Sequence, residues 1–553
     1  MRLKLPSCLP LCLSLMAGMA ISEVPSVEEK AVEYLTKSTK GESHGVALLL
    51  ARDGKIIFQR GFGFADVEKK IAVTSTTKFR IGSVTKQFTA TAMLKLAEEK
   101  KLTLDDPLAK YFPDVPHAAE IKLHQLLTHV SGIRSFTDRV DFLQKVIKPI
   151  EPSALIASMK DDKPDFEPGK GFHYNNSAYF LAGEIVAKVS GTSFAAYLEE
   201  AFFKPLGMKN TGIYKNESPP AEAAKGYSMV DGKPQPALEW DMSWAGGAGA
   251  LYSTVEDLFL WNEALHGGKI LNAESYKRLT TPVVLPKGVD GMNYGFGLVV
   301  ADIHGLPTFG HGGGLNGWSS DLVYYPAQRT TIAVLTNGLP PKSGLEPAVI
   351  SRNLAEKFLA AEIKKLPADK VDASVDPKTF AAFVGRYDYK TAILTVTVEK
   401  DRLFAQLTGQ EKYEIFPKGP GEFFWKVTKA EVKFLTNDKG EITAAEHRQG
   451  GNTFKAARLP DAAEVKLTDA ELDAILGDYE YSPKMILTVT RKDKQVFAKM
   501  TGQPVAPIFP KSATEFEWKI VPASIEFVKN ADGKVTMGIH SQGGQKIEAR
   551  KVK

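Results

Sequence analysis

At 553 residues, with 43% hydrophobic and 24% charged content, the chain has ordinary globular composition and length enough for roughly three or four domains. Its net charge of +5 is spread without any long basic run, which excludes a nucleic-acid footprint. The first element is Arg2 and Lys4 followed by an apolar stretch, Leu5 to Ala20, that ends Ala17-Gly18-Met19-Ala20. That is the pattern of a secretory signal peptide, so residues 1–20 are expected to be removed and the protein to be periplasmic or secreted. An uncleaved anchor is the rival reading, although the stretch lies near the lower length limit for a span. Cys8 and Cys12 are the only cysteines, and neither has a full apolar region ahead of it, as a lipoprotein would require. The mature chain then has no thiol, which excludes disulfides, thiol catalysis and cysteine-held metals. No later segment is apolar enough for stable membrane insertion.

From residue 26 to 366 helical and strand patterns mix. Val46 to Leu50 and Lys55 to Gln59 flank Arg52-Asp53-Gly54, a hairpin signal. Leu322 to Tyr325 and Thr331 to Thr336 read as strands at the other end, able to join the hairpin in one antiparallel sheet with helices packed on it. That predicts an α+β domain.

Within it Phe79 to Ala90 contains Ser83 and Lys86, three apart. On a helix such residues share a face, with Cβ atoms roughly 5 to 6 Å apart, so the lysine amine can serve the serine hydroxyl as base. A second Ser-x-x-Lys, Ser75 to Lys78, lies just upstream. Its polar β-branched run, Thr74 to Thr77, predicts a loop or strand start. Ser83 instead follows Gly82 and opens Val84 to Lys100, where Phe88, Ala92, Met93, Leu96 and Ala97 recur at helical spacing. Ser83 is therefore expected at a helix N-terminus, among unpaired amides and the positive end of the dipole.

Three further segments carry chemistry-bearing residues in chain order. Leu126 to Ile133 includes His129, read as structural; His124 and His129 are five apart and have no suitably spaced carboxylate, so no metal is expected. Phe166 to Ser177 uses a Pro-Gly turn to deliver Tyr174 and Asn176 ahead of a helix expected near Ala178, with Asn176 as a candidate cap. Phe309 to Trp318 holds His311, Gly312, Gly313 and Gly314 before a strand.

Beyond Leu366 the texture changes. Gly385 to Tyr389, Ile393 to Thr397, Ile415 to Lys418 and Gln449 to Gly451 recur at Gly477 to Tyr481, Ile486 to Thr490, Ile508 to Lys511 and Gln542 to Gly544, an offset of 92 or 93 residues. Residues 373–459 and 465–553 thus read as a duplicated domain, each copy alternating apolar and polar positions as a lipocalin-like barrel or sandwich does. Trp425 and Trp518 are expected in the two cores.

Together Phe79 to Ala90, Tyr174-Asn175-Asn176 and His311-Gly312-Gly313 resemble the motifs of the serine β-lactamase and penicillin-binding superfamily. The likeness is nearest to its class C β-lactamase, D-aminopeptidase and esterase branch, and it covers roughly Val27 to Phe358. The resemblance implies an acyl-enzyme on Ser83 with no cofactor, and Lys86 and Tyr174 as proton carriers. It implies that Asn176, His311 and Gly313 bind substrate, and that the amides of Ser83 and Gly314 form the oxyanion hole. One such donor is worth about 2.7 to 4 kcal/mol in the transition state. In relatives, β domains of the C-terminal kind cover the active-site mouth or support oligomers.

The departure is at His311, where the family's lysine cation is replaced by an imidazole of reference pKa about 6.5, and Gly312 supplies no hydroxyl. Carboxylate anchoring should weaken, moving the expectation toward a serine hydrolase of small-molecule or peptide esters and amides. A β-lactamase or DD-peptidase is the alternative enzyme. A penicillin- or wall-binding sensor that acylates without turnover is the alternative of another class. Against the sensor stands Tyr174, a group able to serve deacylation.

Overall fold

The computed structural model describes residues 27–39, 43–139, 141–230, 233–287, 289, 291–303, 305–339, 341, 345–363, 370–389, 393–407, 412–426, 430–449, 452–459, 467–482, 485–501, 505–518, 523–542 and 545–552. The expected signal segment with Cys8 and Cys12 lies outside the described residues. So do the expected boundary after Leu366, most of the boundary between the repeats, and the Gly-Gly pairs that follow Gln449 and Gln542.

The hydrolase-like region is built on one antiparallel sheet. Helix α1 (Val27–Ser38) is followed by β1 (Val46–Arg52) and β2 (Lys55–Phe62), joined at Asp53-Gly54 with φ of +52° and +73°. Both positive angles are what a tight hairpin turn demands, so the Asp-Gly signal was sufficient to place it. The sheet closes at the far end of the domain, where β3 (Val299–Ile303), β4 (Leu306–Leu315), β5 (Trp318–Tyr325) and β6 (Thr330–Thr336) run in the order β3-β4-β5-β6-β1-β2. Val46 pairs with Thr336 and Arg52 with Thr330. Sequence positions nearly three hundred residues apart are thereby neighbours.

Strand alternation explains why β1 reads as an unbroken apolar run. Val46, Leu48 and Leu50 face one side, with Ile332, Val334 and the helices α1 and α2 (Pro347–Phe358). Ala47, Leu49 and Ala51 face the other, against the helical subdomain. At the centre of that subdomain runs the helix Thr85–Glu98, buried on nearly every side, with Phe88 stacked on Trp261 at 3.9 Å between centroids. Lys86, on its first turn, is thereby held in a low-dielectric interior, whereas Lys95 near its end reaches solvent.

The two repeats are closed eight-stranded antiparallel barrels, Gly385–Asp388 to Asn452–Arg458 and Gly477–Ser482 to Gln545–Lys551. Trp425 and Trp518 are buried in their cores, each stacked on a histidine, His447 and His540, at 5.1 and 5.0 Å. Asn437 and Asn530 turn the same hairpin in each copy, the side-chain oxygen accepting from the amides two and four residues on. Arg386 of the first barrel pairs with Glu517 of the second at 3.1 Å.

Candidate active site

Ser83 is placed by a change of backbone direction. The short strand Phe79–Arg80 pairs with Leu251–Ser253, then Gly82 at φ +51° turns the chain into a 3₁₀ turn, Gly82–Val84, that runs into the helix Thr85–Glu98. A Cβ at Gly82 would lie 2.9 Å from the amide nitrogen of Gly314, so only glycine brings the Ser83 turn this close to β4. Ser83 remains half-exposed at the cleft and Lys86 is fully buried one turn on. The upstream pair separates as expected: Ser75 sits in a turn and Lys78 donates to the Ala221 carbonyl at 3.0 Å.

The surroundings of Lys86 decide its protonation state. Its Nζ lies 2.8 Å from the carbonyl oxygen of Ala248, 2.9 Å from Asn176 Oδ1 and 3.1 Å from Ser83 Oγ. The first two atoms can only accept, so they take two N–H bonds. A neutral amine then has its lone pair left for the Ser83 hydroxyl, and its donors and acceptor are all used. Burial pushes the amine well below its ordinary 10.5. No carboxylate offsets that shift; the nearest electron-rich groups are the rings of Tyr174 and Tyr179, 4.8 and 5.4 Å from Nζ.

Tyr174 is pushed the other way. Burial raises its phenol far above the ordinary 10, with the nearby Ser83 hydroxyl opposing the shift, and its sealed oxygen makes no hydrogen bond among the described residues. The Lys86 amine lies over the Tyr174 ring rather than on its oxygen, held there by Asn176 and Ala248. Asn175, rather than Asn176, caps the following helix, Asn176–Ser190, accepting from the Ala178 amide at 2.8 Å. The helix therefore begins two residues before the expected Ala178. This division of labour frees Asn176, whose Nδ2 donates to Thr137 Oγ1 at 3.1 Å while its Oδ1 holds Lys86.

His129 brackets Tyr174 from beneath. Its carbonyl accepts from the His173 amide and its Nδ1 from the Asn175 amide, both at 3.0 Å, and its ring lies 4.4 Å from that of Tyr174. Burial holds the imidazole well below its ordinary value, hence neutral. Its φ of +62° is an uncommon one for a side chain of this size.

On the opposite wall His311 is buried and neutral, brought to about 3 chiefly by burial. Its Nδ1–H donates to the Gly312 carbonyl, so Nε2 accepts from the Tyr294 hydroxyl at 2.8 Å. Both ring nitrogens are spent within the protein. Gly313, expected at the substrate, turns its side-chain position to the protein instead: a Cβ there would meet the Ile81 carbonyl at 2.0 Å and Ser320 Oγ at 2.3 Å. Its lack of a side chain lets β4 approach the Ser83 turn. Gly314 follows on the open face of the strand, and its amide and that of Ser83 belong to the two segments brought together there.

A narrow cleft of about 70 Å³ opens beside Ser83, Asn176 and Gly314, walled by Phe136, Phe142, Val146, Trp240, Trp244 and Leu315. Most of these walls come from Arg134 to Pro164 and Ala221 to Ala245, loops whose sequence has no readable motif. Among the described residues, Asp138, Asp165 and His173 form one His-carboxylate group, and His117, Glu120 and Glu167 another. In the first, His173 Nδ1 lies 2.8 Å and Arg134 3.2 Å from Asp165; in the second, His117 Nδ1 lies 3.4 Å from Glu120 and 3.6 Å from Glu167. His124 stands apart from them, 3.6 Å from Asp105.

A family model described as Beta-lactamase matches residues 27–355, and one described as a domain of unknown function (DUF3471) matches residues 369–457. The chain is 26% identical to penicillin-binding protein 4* of Bacillus subtilis over 72% of its own length and 92% of that protein's. It is 33% identical to the putative penicillin-binding protein PbpX of the same organism over 46% of this chain and 61% of that one. Among solved structures it resembles a D-amino acid amidase from Ochrobactrum anthropi (TM-score 0.54, 26% identity, 61% of this chain and 99% of that one). It resembles an octameric penicillin-binding protein homologue from Pyrococcus abyssi equally well (TM-score 0.54, 27% identity, 78% and 99%).

Proposed function

The chain belongs to the Beta-lactamase family and is a serine hydrolase, and we propose that it cleaves ester or amide bonds of small molecules or short peptides through an acyl-enzyme on Ser83. The observation that carries this reading is the Lys86 amine, buried with no carboxylate among the described residues beside it and 3.1 Å from Ser83 Oγ. Burial favours the uncharged form that a base needs.

The two titratable groups divide the work because their surroundings push them apart. Lys86 takes the proton of Ser83 as Oγ attacks the carbonyl carbon, and the developing oxyanion is held by the amides of Ser83 and Gly314. Tyr174 stays protonated, its hydroxyl near that of Ser83 and without another acceptor among the described residues. It gives that proton to the leaving alcohol or amine, and the Lys86 ammonium restores it. Water then takes the leaving group's place and returns its proton by the same route. Tyr174 thus acts as acid and relay in the first half rather than as a resting base.

His311 shapes the choice of substrate. With a neutral ring bonded at both nitrogens it offers no cation to a substrate carboxylate. Uncharged esters and amides are favoured, and the D-amino acid amidase likeness makes D-aminoacyl amides the amide class to examine first. A panel of nitrophenyl esters, D- and L-aminoacyl anilides and a chromogenic cephalosporin, run on the wild type and Ser83→Ala, tests the reading. Turnover and covalent labelling should both vanish in the variant, and survival of either overturns the assignment. Likeness to penicillin-binding proteins supports a second reading, acylation without release. Intact mass after mixing with penicillin separates them, since a persistent adduct favours the second.

Export is part of the proposal, supported by Arg2, Lys4 and the apolar stretch from Leu5 to Ala20. N-terminal sequencing of the mature protein should find a start near Ile21; a retained Met1 overturns it.

A further inference from the structure

We propose that the apolar cleft beside Ser83 is an acyl-chain pocket sized for a short branched aliphatic group, and that Arg80 sets its width through Glu239 and Trp240. The inference rests on the acyl-enzyme reading above and specifies which acyl groups that enzyme accepts.

The lining points to an apolar occupant. Phe142 lies 5.8 Å from Phe136, 5.2 Å from Trp240 and 6.1 Å from Trp244 between ring centroids, so four aromatic rings form a continuous wall. Asp241 is the one charged residue of the lining, and its carboxylate oxygen accepts from the Ser243 amide at 3.0 Å. An anionic acyl chain would meet rings and a carboxylate, with no cation among the lining residues to receive it.

Size narrows the class further. A dry cavity of roughly 150 Å³ takes a benzene ring, so a space of about 70 Å³ suits about three or four carbons and not a phenyl group. Such a limit matters only if the walls hold their position, and these are tied at several points. The Trp240 carbonyl accepts from Arg80 at 3.1 Å and from Asn216 Nδ2 at 3.0 Å. Asp241 N donates to the Val146 carbonyl at 2.7 Å, Met242 N to Asn216 Oδ1 at 2.8 Å, and Trp244 Nε1 to the Lys148 carbonyl at 2.8 Å.

Arg80 is the member of this set that the mechanism leaves unused. Its side chain is 1% exposed, its guanidinium lies 3.7 Å from the Tyr214 ring centroid and 4.3 Å from that of Trp318, and it pairs with Glu239. A buried cation at this position is costly unless it is satisfied. It stands three residues before Ser83 on the same segment, so one rigid piece carries the nucleophile and fixes the facing wall. Arg80 is a positioning residue, and Glu239, more than half exposed, is the counter-ion through which the wall can be loosened.

The test is a series of nitrophenyl esters, acetyl, isobutyryl, 3-methylbutanoyl, benzoyl and succinyl, on the wild type, Phe142→Ala and Glu239→Ala. In the wild type kcat/KM should rise about fourfold per buried carbon from acetyl to the branched esters. It should fall at least tenfold for benzoyl and for succinyl. Phe142→Ala should raise the benzoyl to isobutyryl ratio tenfold or more, and Glu239→Ala, which removes the counter-ion of Arg80, should flatten the ratio by a few fold. A profile that is flat, or that favours benzoyl, while Ser83→Ala is inactive overturns the pocket and leaves the acyl-enzyme reading standing. Failure to turn over any ester or amide, with no labelling of Ser83, overturns both.

Discussion

Ser75 and Lys78 have the same spacing as Ser83 and Lys86, lie on the same stretch of chain, and differ in everything that spacing does not specify. Lys78 sits by a surface turn, its amine on the Ala221 carbonyl and 4.0 Å from the Glu222 carboxylate. Lys86 is on the buried N-terminal turn of a helix that the domain covers on nearly every side, and its amine meets two carbonyl-type acceptors. The contrast shows that a three-residue interval supplies reach and nothing more. What makes a base of the lysine is a site in which its charge has no counter-ion, and that site is assembled from Asn176 and Ala248, far away in the sequence.

The contrast breaks most completely at the nucleophile. Ser83→Ala should reduce kcat on the best ester by roughly 10⁴- to 10⁶-fold, leaving what the amides and the cleft alone contribute. Stopped assays on the variant and the wild type measure it.

Replacing Lys86 by Met should cost nearly as much activity and should also stabilise the fold. The unfolded lysine binds a proton up to its ordinary value of about 10.5, whereas the folded one releases it well below that. Between those two values the unfolded state holds the extra proton, so wild-type stability rises with pH across that window. The variant has no such slope. Its melting temperature should exceed the wild type's at pH 7, with the gap narrowing toward pH 10; a variant that melts lower by a pH-independent amount would refute the neutral amine.

The pH dependence of kcat/KM follows from the same pair. Its acid limb should report protonation of Lys86, far below the ordinary lysine range, and no alkaline limb should come from Tyr174 below about pH 10, since burial raises that phenol. An alkaline limb near neutrality that disappears in Tyr174→Phe would reverse the two assignments.

Much of this site was legible because its parts are local. Gly82 before an uninterrupted apolar helix, Tyr174 after a Pro-Gly turn and the glycines after His311 each carry a backbone signal in a few residues. The Asp53-Gly54 hairpin and the 92- or 93-residue repeat were readable for the same reason. What could not be read depends on contacts between distant segments. Asn175 and Asn176 are equally good caps by type, and only Lys86, ninety residues earlier, decides which one is spared. Gly313 has a packing duty that exists because Ile81 lies opposite it. The cleft walls come from loops whose aromatic residues have no periodicity until folded. His129 offered one local hint, a histidine between Thr128 and Val130 with φ of +62°, but that angle is not visible in the letters.

His129 sharpens the comparison at intermediate scale: the Ser75 turn is steadied locally, Thr77 Oγ1 accepting from the Thr74 amide at 2.9 Å, whereas His129 reaches the Tyr174 segment from another part of the chain. Asn at this position keeps an acceptor where Nδ1 stands and tolerates positive φ, while Phe keeps the ring and loses the acceptor. His129→Phe should lower kcat by about 10- to 100-fold with KM little changed, through loss of the geometry of Tyr174 and Asn176. His129→Asn should recover most of that loss. Equal losses in both variants would mean that the ring's packing, and not its hydrogen bond to the Asn175 amide, is what the site uses.

The smallest effect should come from the upstream pair itself. Removing both groups, Ser75→Ala with Lys78→Ala, breaks one hydrogen bond to Ala221 and a long ion pair with a largely exposed Glu222, worth less than about 1 kcal/mol together. The melting temperature should drop by a few degrees at most and kcat should stay within twofold. KM is the more sensitive quantity, because Ala221 opens the segment that leads to Trp240 and Trp244 in the cleft wall. A modest rise in KM with constant kcat would show that Lys78 steadies that wall from outside. A tenfold fall in kcat would instead place the turn within the reacting geometry and erase the distinction between the two pairs.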